Sequence, residues 1–361
     1  MEIYVLISFW LFSLTVLDSI YRIRKRDRLF LYITISLFFW IMSFVRWETG
    51  TDWEAYYNFF NSRYTWQEFL DASFEVGFTA INFGVKQISD NYSFLLFSVS
   101  CIIFPLKYST IWQYSPYPFF SLVLSLLLSK ADIFFVRETI ALSIAFFSVR
   151  YIINREKWKF FICLLFALQF HSSIIVFIFA YYIYSMRLTK CRLIVLAIGV
   201  AFFSIASTVV LSTLGNTLGG VFQWKIANYL EYGDEDFGMG ISLQEALIRG
   251  SINRLFFLSL FIYLYMKNKA DVVLSGLIKV YTFNYVLFLM LVPISLPLMR
   301  LANSYEQLSI LIIGIGLSKF IMKDRFVIVF ILSIYMFLRF FMGTLNGGYA
   351  HCFVPYKTIF F

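Results

Sequence analysis

The sequence predicts an all-α, polytopic integral membrane protein, and three observations predict it: the composition, the spacing of the apolar runs and the placement of the cations. Of 361 residues, 60% are hydrophobic, 21% aromatic and only 14% charged, too little polar side chain to cover a fold in water. A spanning helix takes roughly 20 apolar residues, so a chain of this length has room for about ten to twelve. One membrane domain over residues 1–361 is expected, with no separate soluble module.

Apolar runs lie near residues 3–20, 29–45, 92–112, 118–132, 133–149, 158–170, 172–186, 193–212, 250–266, 276–299, 304–318 and 326–343, which predicts about twelve transmembrane helices. The first reads as a retained helix: no cationic stretch precedes it and no small-residue cleavage site follows. Residues 74–88 are apolar but short and carry Lys86, so they read as a re-entrant or interfacial piece. No internal repeat is found, which argues against transporter folds built from inverted halves.

Arg22, Arg24, Lys25, Arg26 and Arg28 follow the first run and place that connection in the cytoplasm. Alternation then assigns to the same side Lys107, the group Arg150, Arg155, Lys157 and Lys159, the group Arg187, Lys190 and Arg192, the group Lys267, Lys269 and Lys279, and the group Lys319, Lys323 and Arg325. The opposite side receives two longer loops, about 46–91 and 213–249, the second with the acids Glu231, Asp234, Glu235 and Asp236, and also a C-terminal segment with His351 and Tyr356. The net charge of +9 is therefore a topology signal. The cations form no continuous basic face, which argues against nucleic acid as a partner. Cys101, Cys163, Cys191 and Cys352 lack metal-type spacing and read as buried thiols.

Four constellations fall at the outer ends of the helices. The first is Arg46-Trp47-Glu48-Thr49-Gly50-Thr51-Asp52-Trp53, followed by Tyr56 and Tyr57. Thr51 or Asp52 is placed to cap a short helix whose aromatic face rests on the membrane surface. The plainer alternative makes Asp52 only a cap and Arg46 only an interfacial anchor. The second is Arg137-Glu138, opening an apolar run, where ionisable groups are costly unless they pair or bind something; Glu138 or Asp132 is the internal partner weighed against a ligand. The third is Phe170-His171-Ser172 at a tight turn. His171 is one of two histidines, either a structural group at a helix end or a group that moves a proton. The fourth is Arg300 with Asn303, Tyr305 and Glu306, after a run interrupted by Pro293 and Pro297, a break that suits a cavity lining. Guanidinium groups bind phosphate through bidentate, charge-assisted hydrogen bonds, so Arg46, Arg137 and Arg300 together suit a diphosphate. No phosphate loop, metal-spaced His and Cys set or nucleophile elbow is found, and no cofactor or metal is expected.

Arg46 with Gly50-Thr51-Asp52 and Tyr56, Arg137 opening a helix, Phe170-His171-Ser172, and Arg300 with Tyr305 occur in an order that resembles the EpsG-like, Wzy-type polysaccharide polymerases, from about residue 40 to 310. The departures are Trp53, where such proteins often have Tyr, and Glu138, where Gln is common. The resemblance implies a GT-C-like membrane glycosyltransferase of the O-antigen or exopolysaccharide pathway. Such an enzyme joins repeat units carried on undecaprenyl diphosphate at the periplasmic face of the bacterial inner membrane, uses no nucleotide sugar and works beside a chain-length regulator. In that reading Arg46, Arg137 and Arg300 hold the diphosphate. His171 or Asp52 takes the acceptor proton, with His171 preferred, and Trp53, Tyr56 and Tyr305 meet sugar. A lipid-linked oligosaccharide flippase and an O-antigen ligase are the rivals. A flippase should carry charge through the membrane interior, whereas here the notable groups share one face.

Overall fold

A computed structural model describes residues 2–21, 23–71, 74–187, 243–292, 296–345 and 350–360, with scattered positions between 198 and 227. The expected span at 193–212 lies almost wholly outside the described residues, and so do Cys191, Pro293 and the acids at 231–236. The described elements are all helical, with no strand among them beyond one isolated bridge, Arg46 to Thr358.

The chain divides into two compact units: residues 1–154, 158–172 and 310–361 form the first, and 155–157 with 173–309 the second. The first contains α1 (Glu2–Tyr21), α2 (Lys25–Val45), α3 (Trp53–Asn61), α4 (Trp66–Leu70), α5 (Val76–Lys86), α6 (Tyr92–Tyr114), α7 (Pro118–Ser129), α8 (Arg137–Ile153) and α9 (Lys157–Leu168). In its centre α6 packs against α2 and α8, while α1 lies on α7. The second contains the 3-10 segment Ser172–Phe179 leading into α10 (Ala180–Ser185), α11 (Leu243–Lys267), α12 (Val272–Leu291) and the 3-10 segment Leu296–Ala302. There α12 packs on α10 and α11. Two later helices, α13 (Leu308–Leu317) and α14 (Met322–Phe340), carry the chain back into the first unit, where α14 packs on α1 and α7.

Among the described residues, six helices are long and apolar enough to cross a membrane: Glu2–Tyr21, Lys25–Val45, Tyr92–Tyr114, Gln244–Lys267, Val272–Leu291 and Met322–Gly343. The protein is therefore a membrane protein. The described residues show these six and not all twelve expected spans: of the others, α7 has 12 residues, α8 has 17, α9 has 12 and α13 has 10. The reason is local at α7. Lys130, Asp132 and, just before α8, the turn they open break the helical run, with both residues at positive φ (53° and 61°).

That break also corrects the placement of Lys107. It sits inside α6, fully buried, with Nζ 2.6 Å from Asp132 Oδ2 and 3.3 Å from Ser129 Oγ, not in a cytoplasmic connection. An apolar run tolerates a buried lysine when its charge is matched. Removing one partner strands the other charge. Lys107→Met is expected to cost about 3–5 kcal/mol, and Lys107→Met with Asp132→Leu to recover most of it, measured as the shift in unfolding temperature of the purified protein in detergent.

The buried-thiol expectation is also corrected. Cys101 is exposed and Cys163 and Cys352 are half-buried.

Candidate active site

The loop expected at 46–91 folds into three short helices. α4 is held by a capping box, with Thr65 Oγ1 accepting from Glu68 N and the Glu68 carboxylate accepting from Thr65 N. α3 turns its aromatic side inward: Trp53, Tyr56, Phe59 and Phe60 are buried. Trp53 stacks on Tyr57 with ring centroids 4.7 Å apart and meets Trp47 at 4.9 Å and Tyr92 at 5.5 Å. The expectation that this face rests on the membrane surface is thus corrected; α3 packs on α6.

Asp52 stands at the N-cap of α3 but accepts no capping hydrogen bond, and its side chain is exposed. The reading of Asp52 as only a cap therefore fails, and a carboxylate remains available at the mouth of the loop.

Arg46 is 1% exposed. Its guanidinium donates to the carbonyls of Ser43 (3.2 Å) and Thr49, tying the end of α2 to the following turn. Burial draws its pKa below the usual arginine value, opposed by Tyr92, Tyr356 and the Asp52 charge. Direct contact of Arg46 with a diphosphate, as expected from the sequence, is not what this arrangement offers. Arg46 organises the loop from within.

The C-terminal segment completes that loop. Trp47 N donates to Lys357 O at 3.0 Å, Gly50 N to Cys352 O at 2.7 Å and Ile359 N to Val45 O at 2.9 Å. Lys357 N donates to Thr49 Oγ1 at 3.2 Å, Lys357 Nζ pairs with Glu48 at 2.7 Å, and the Tyr356 hydroxyl donates to Met42 O. Sequence reasoning saw Tyr356 only as an outer residue, since no motif links positions more than 300 apart. Thr49→Val removes the hydroxyl that serves Lys357 N and is expected to destabilise the loop by about 1–2 kcal/mol, read as earlier proteolytic cleavage between Val45 and Trp53 at unchanged membrane abundance.

Arg137 opens α8, and its partner is neither Glu138 nor Asp132. Its Nη1 lies 2.8 Å from Glu75 Oε2, its guanidinium carbon is 4.6 Å from the centre of the Phe74 ring, and its Nε is buried without a hydrogen-bond partner. Glu75 also accepts from Ser172 N at 3.0 Å through its other oxygen. Gly77 N and Phe78 N meet Gln169 O at 2.8 and 3.3 Å. A Cβ on Gly77 would fall 2.7 Å from that same carbonyl, so the close approach needs glycine. The turn containing His171 is thereby docked on the start of α5. Sequence reasoning missed Glu75, whose only signal is an acid just before an apolar run.

Tyr56 joins these groups. Burial raises its phenol pKa, the Arg137 charge opposes that rise, and Asp52 and Glu138 add to it. Asp52, Tyr56, Arg137, Glu75 and the His171 turn thus belong to one region of the first unit, with Arg46 inside the adjoining loop.

Arg300 and Tyr305 belong to the second unit. Arg300 is exposed on the 3-10 segment. Tyr305 is fully buried, with its hydroxyl donated to Val176 O and its ring against Phe177 and Phe283, so in this structure it packs and presents nothing to a sugar. The second unit adds a group absent from the sequence reading: Arg254, buried, donates from Nε to Asn284 Oδ1 at 3.1 Å and lies 3.7 Å from Glu306. No group of His, Cys, Asp and Glu able to hold a metal occurs among the described residues.

Compared with known proteins, residues 29–358 match the EpsG family. No curated protein and no solved structure matches.

Proposed function

The chain belongs to the EpsG family, and from that and the geometry of its first unit we propose that it is a polysaccharide polymerase of the bacterial inner membrane. It joins oligosaccharide repeat units carried on undecaprenyl diphosphate, with its reactive side on the periplasmic face. The observation that carries this reading is Arg137. Its guanidinium is partly exposed, anchored through one nitrogen by Glu75 and backed by Phe74, beside a tyrosine that feels both its charge and the carboxylate of Asp52.

In the reaction, an acceptor sugar hydroxyl attacks the anomeric carbon of the donor. The new C–O bond forms as the anomeric carbon–phosphate oxygen bond breaks, and the diphosphate leaves with the electron pair. Arg137 stabilises the charge that gathers there, since donors already aimed at developing charge lower a barrier by several kcal/mol. Arg300, in the second unit, is proposed as a diphosphate ligand from the order of the sequence motifs alone, and Arg46 holds the loop in shape. The acceptor proton passes to Asp52 or His171. Asp52 is favoured by its exposed carboxylate, His171 by being an imidazole, the side chain type best suited to move a proton near neutral pH. Trp53 and Tyr56, both buried, back the site from within the loop.

The test is deletion of the gene in its host and electrophoresis of the extracted polysaccharide, with complementation by wild type and by Arg300→Ala. Collapse of the ladder to a single-repeat band, restored by wild type and not by the variant, supports the polymerase and the role of Arg300. Loss of the single-repeat band as well points to a flippase or ligase, and an unchanged ladder overturns the reading.

A further inference from the structure

Away from this site, α2 and α6 enclose a groove of about 520 Å³ on the outside of the first unit, lined almost entirely by apolar side chains from Leu29 to Trp40 on α2 and Cys101 to Trp112 on α6. Pro105 lies inside α6 and removes a helical hydrogen bond there, while Ser36 and Ser109, small residues on facing walls, leave the space open. The floor is fastened by Tyr32, whose hydroxyl donates to Tyr108 O at 2.8 Å.

The two ends of the groove differ in charge. At the Leu29 end, the first turn of α2 and its N-cap carry Arg24, Lys25, Arg26 and Arg28 against Asp27. Arg24, Lys25 and Arg26 are exposed and make no ion pair among the described residues. Arg28 lies over Trp112, 5.7 Å from the ring centre, and reaches Pro116 O and Asp18. At the Trp40 end no charged side chain lines the groove.

We propose that this groove binds an anionic phospholipid, its headgroup on the cations of the first turn of α2 and one acyl chain between α2 and α6. Length supports this occupant. From Leu29 to Trp40 the helix rises roughly 17 Å, close to half of a ~30 Å hydrocarbon core and so to one leaflet's chain. Charge supports it too, since clustered cations beside a membrane helix recognise anionic headgroups. The prenyl tail of a lipid-linked sugar would bring its diphosphate to the opposite end of α2, towards Arg46, where the groove has already closed.

Cys101, exposed at the uncharged end, reports occupancy directly. In the full chain with Cys163, Cys191 and Cys352 replaced by serine, the rate of Cys101 alkylation by N-ethylmaleimide is measured in nanodiscs of pure phosphatidylcholine and of phosphatidylcholine with phosphatidylglycerol. Phosphatidylglycerol is expected to slow the reaction about fivefold, the protection that occupancy of about four-fifths gives by mass action. Arg24→Glu with Arg26→Glu, both at exposed positions, should abolish the protection, and Ser36→Trp should slow alkylation in either lipid. Equal rates in the two lipids overturn the proposal. So does protection that appears only on adding a polyprenyl diphosphate. Polymerase activity plays no part in the readout, so this outcome is independent of the proposed function.

Discussion

Arg137→Ala is expected to reduce polymer formation by about 10²-fold or more while leaving the protein in the membrane at wild-type abundance, the loss typical when a preorganised charge donor is removed. The side chain sits at the start of α8, partly exposed, with one nitrogen committed to Glu75, so it meets an anion without first breaking its anchor. Stability should fall less, because Glu75 retains the backbone N–H of Ser172 as a donor. Arg137→Lys should restore charge but not the fork geometry, and so recover only part of the activity. Glu75→Gln separates anchoring from charge: it leaves the guanidinium in place and should lower activity less than Arg137→Ala does. The checks are ladder length and quantity in a complemented deletion strain, with membrane abundance measured in parallel. Wild-type polymer from Arg137→Ala removes Arg137 from the site.

Gly50→Ala is expected to be as damaging, through shape. Gly50 has φ +117°, a conformation L side chains rarely adopt, and an added Cβ would stand 2.9 Å from Phe134 O and 3.1 Å from Arg46 Nη1. The first neighbour is backbone and cannot swing away. The second is the buried guanidinium that ties α2 to the loop. Backbone strain alone costs about 1–3 kcal/mol, and relieving the clash must move the Gly50 N–H off Cys352 O, detaching the C-terminal segment from the loop. The expected result is loss of polymer together with a lower unfolding temperature in detergent. Gly84→Ala is the control: a Cβ there meets nothing within 4 Å in α5, so removing glycine's helix penalty should be neutral or stabilise by up to about 1 kcal/mol.

Much of the site was legible because rare groups stand out against an apolar background. In a chain with 14% charged residues, Arg46, Asp52, Arg137 and His171 are conspicuous, and all four lie in the first unit. Their partners were not legible. Glu75 stands 62 positions from Arg137, and Lys357 stands 308 from Thr49; side chains that far apart are joined by packing and leave no periodic trace. Lys107 shows the same limit in reverse: counted by charge alone it belongs to a loop, but its distance to Asp132 places it inside the protein.

Composition and hydropathy by themselves determined that the chain is helical and lipid-embedded, because a backbone in hydrocarbon must satisfy its own hydrogen bonds, and the family follows from the linear order of short motifs. Only the tertiary structure decided which arginine faces outward. Arg46 and Arg137 look alike in sequence, each at a helix end beside aromatic residues, but the C-terminal segment closes over the first while Glu75 and Phe74 hold the second at the surface. A charge takes its role from what surrounds it in space, and those neighbours come from distant parts of the chain.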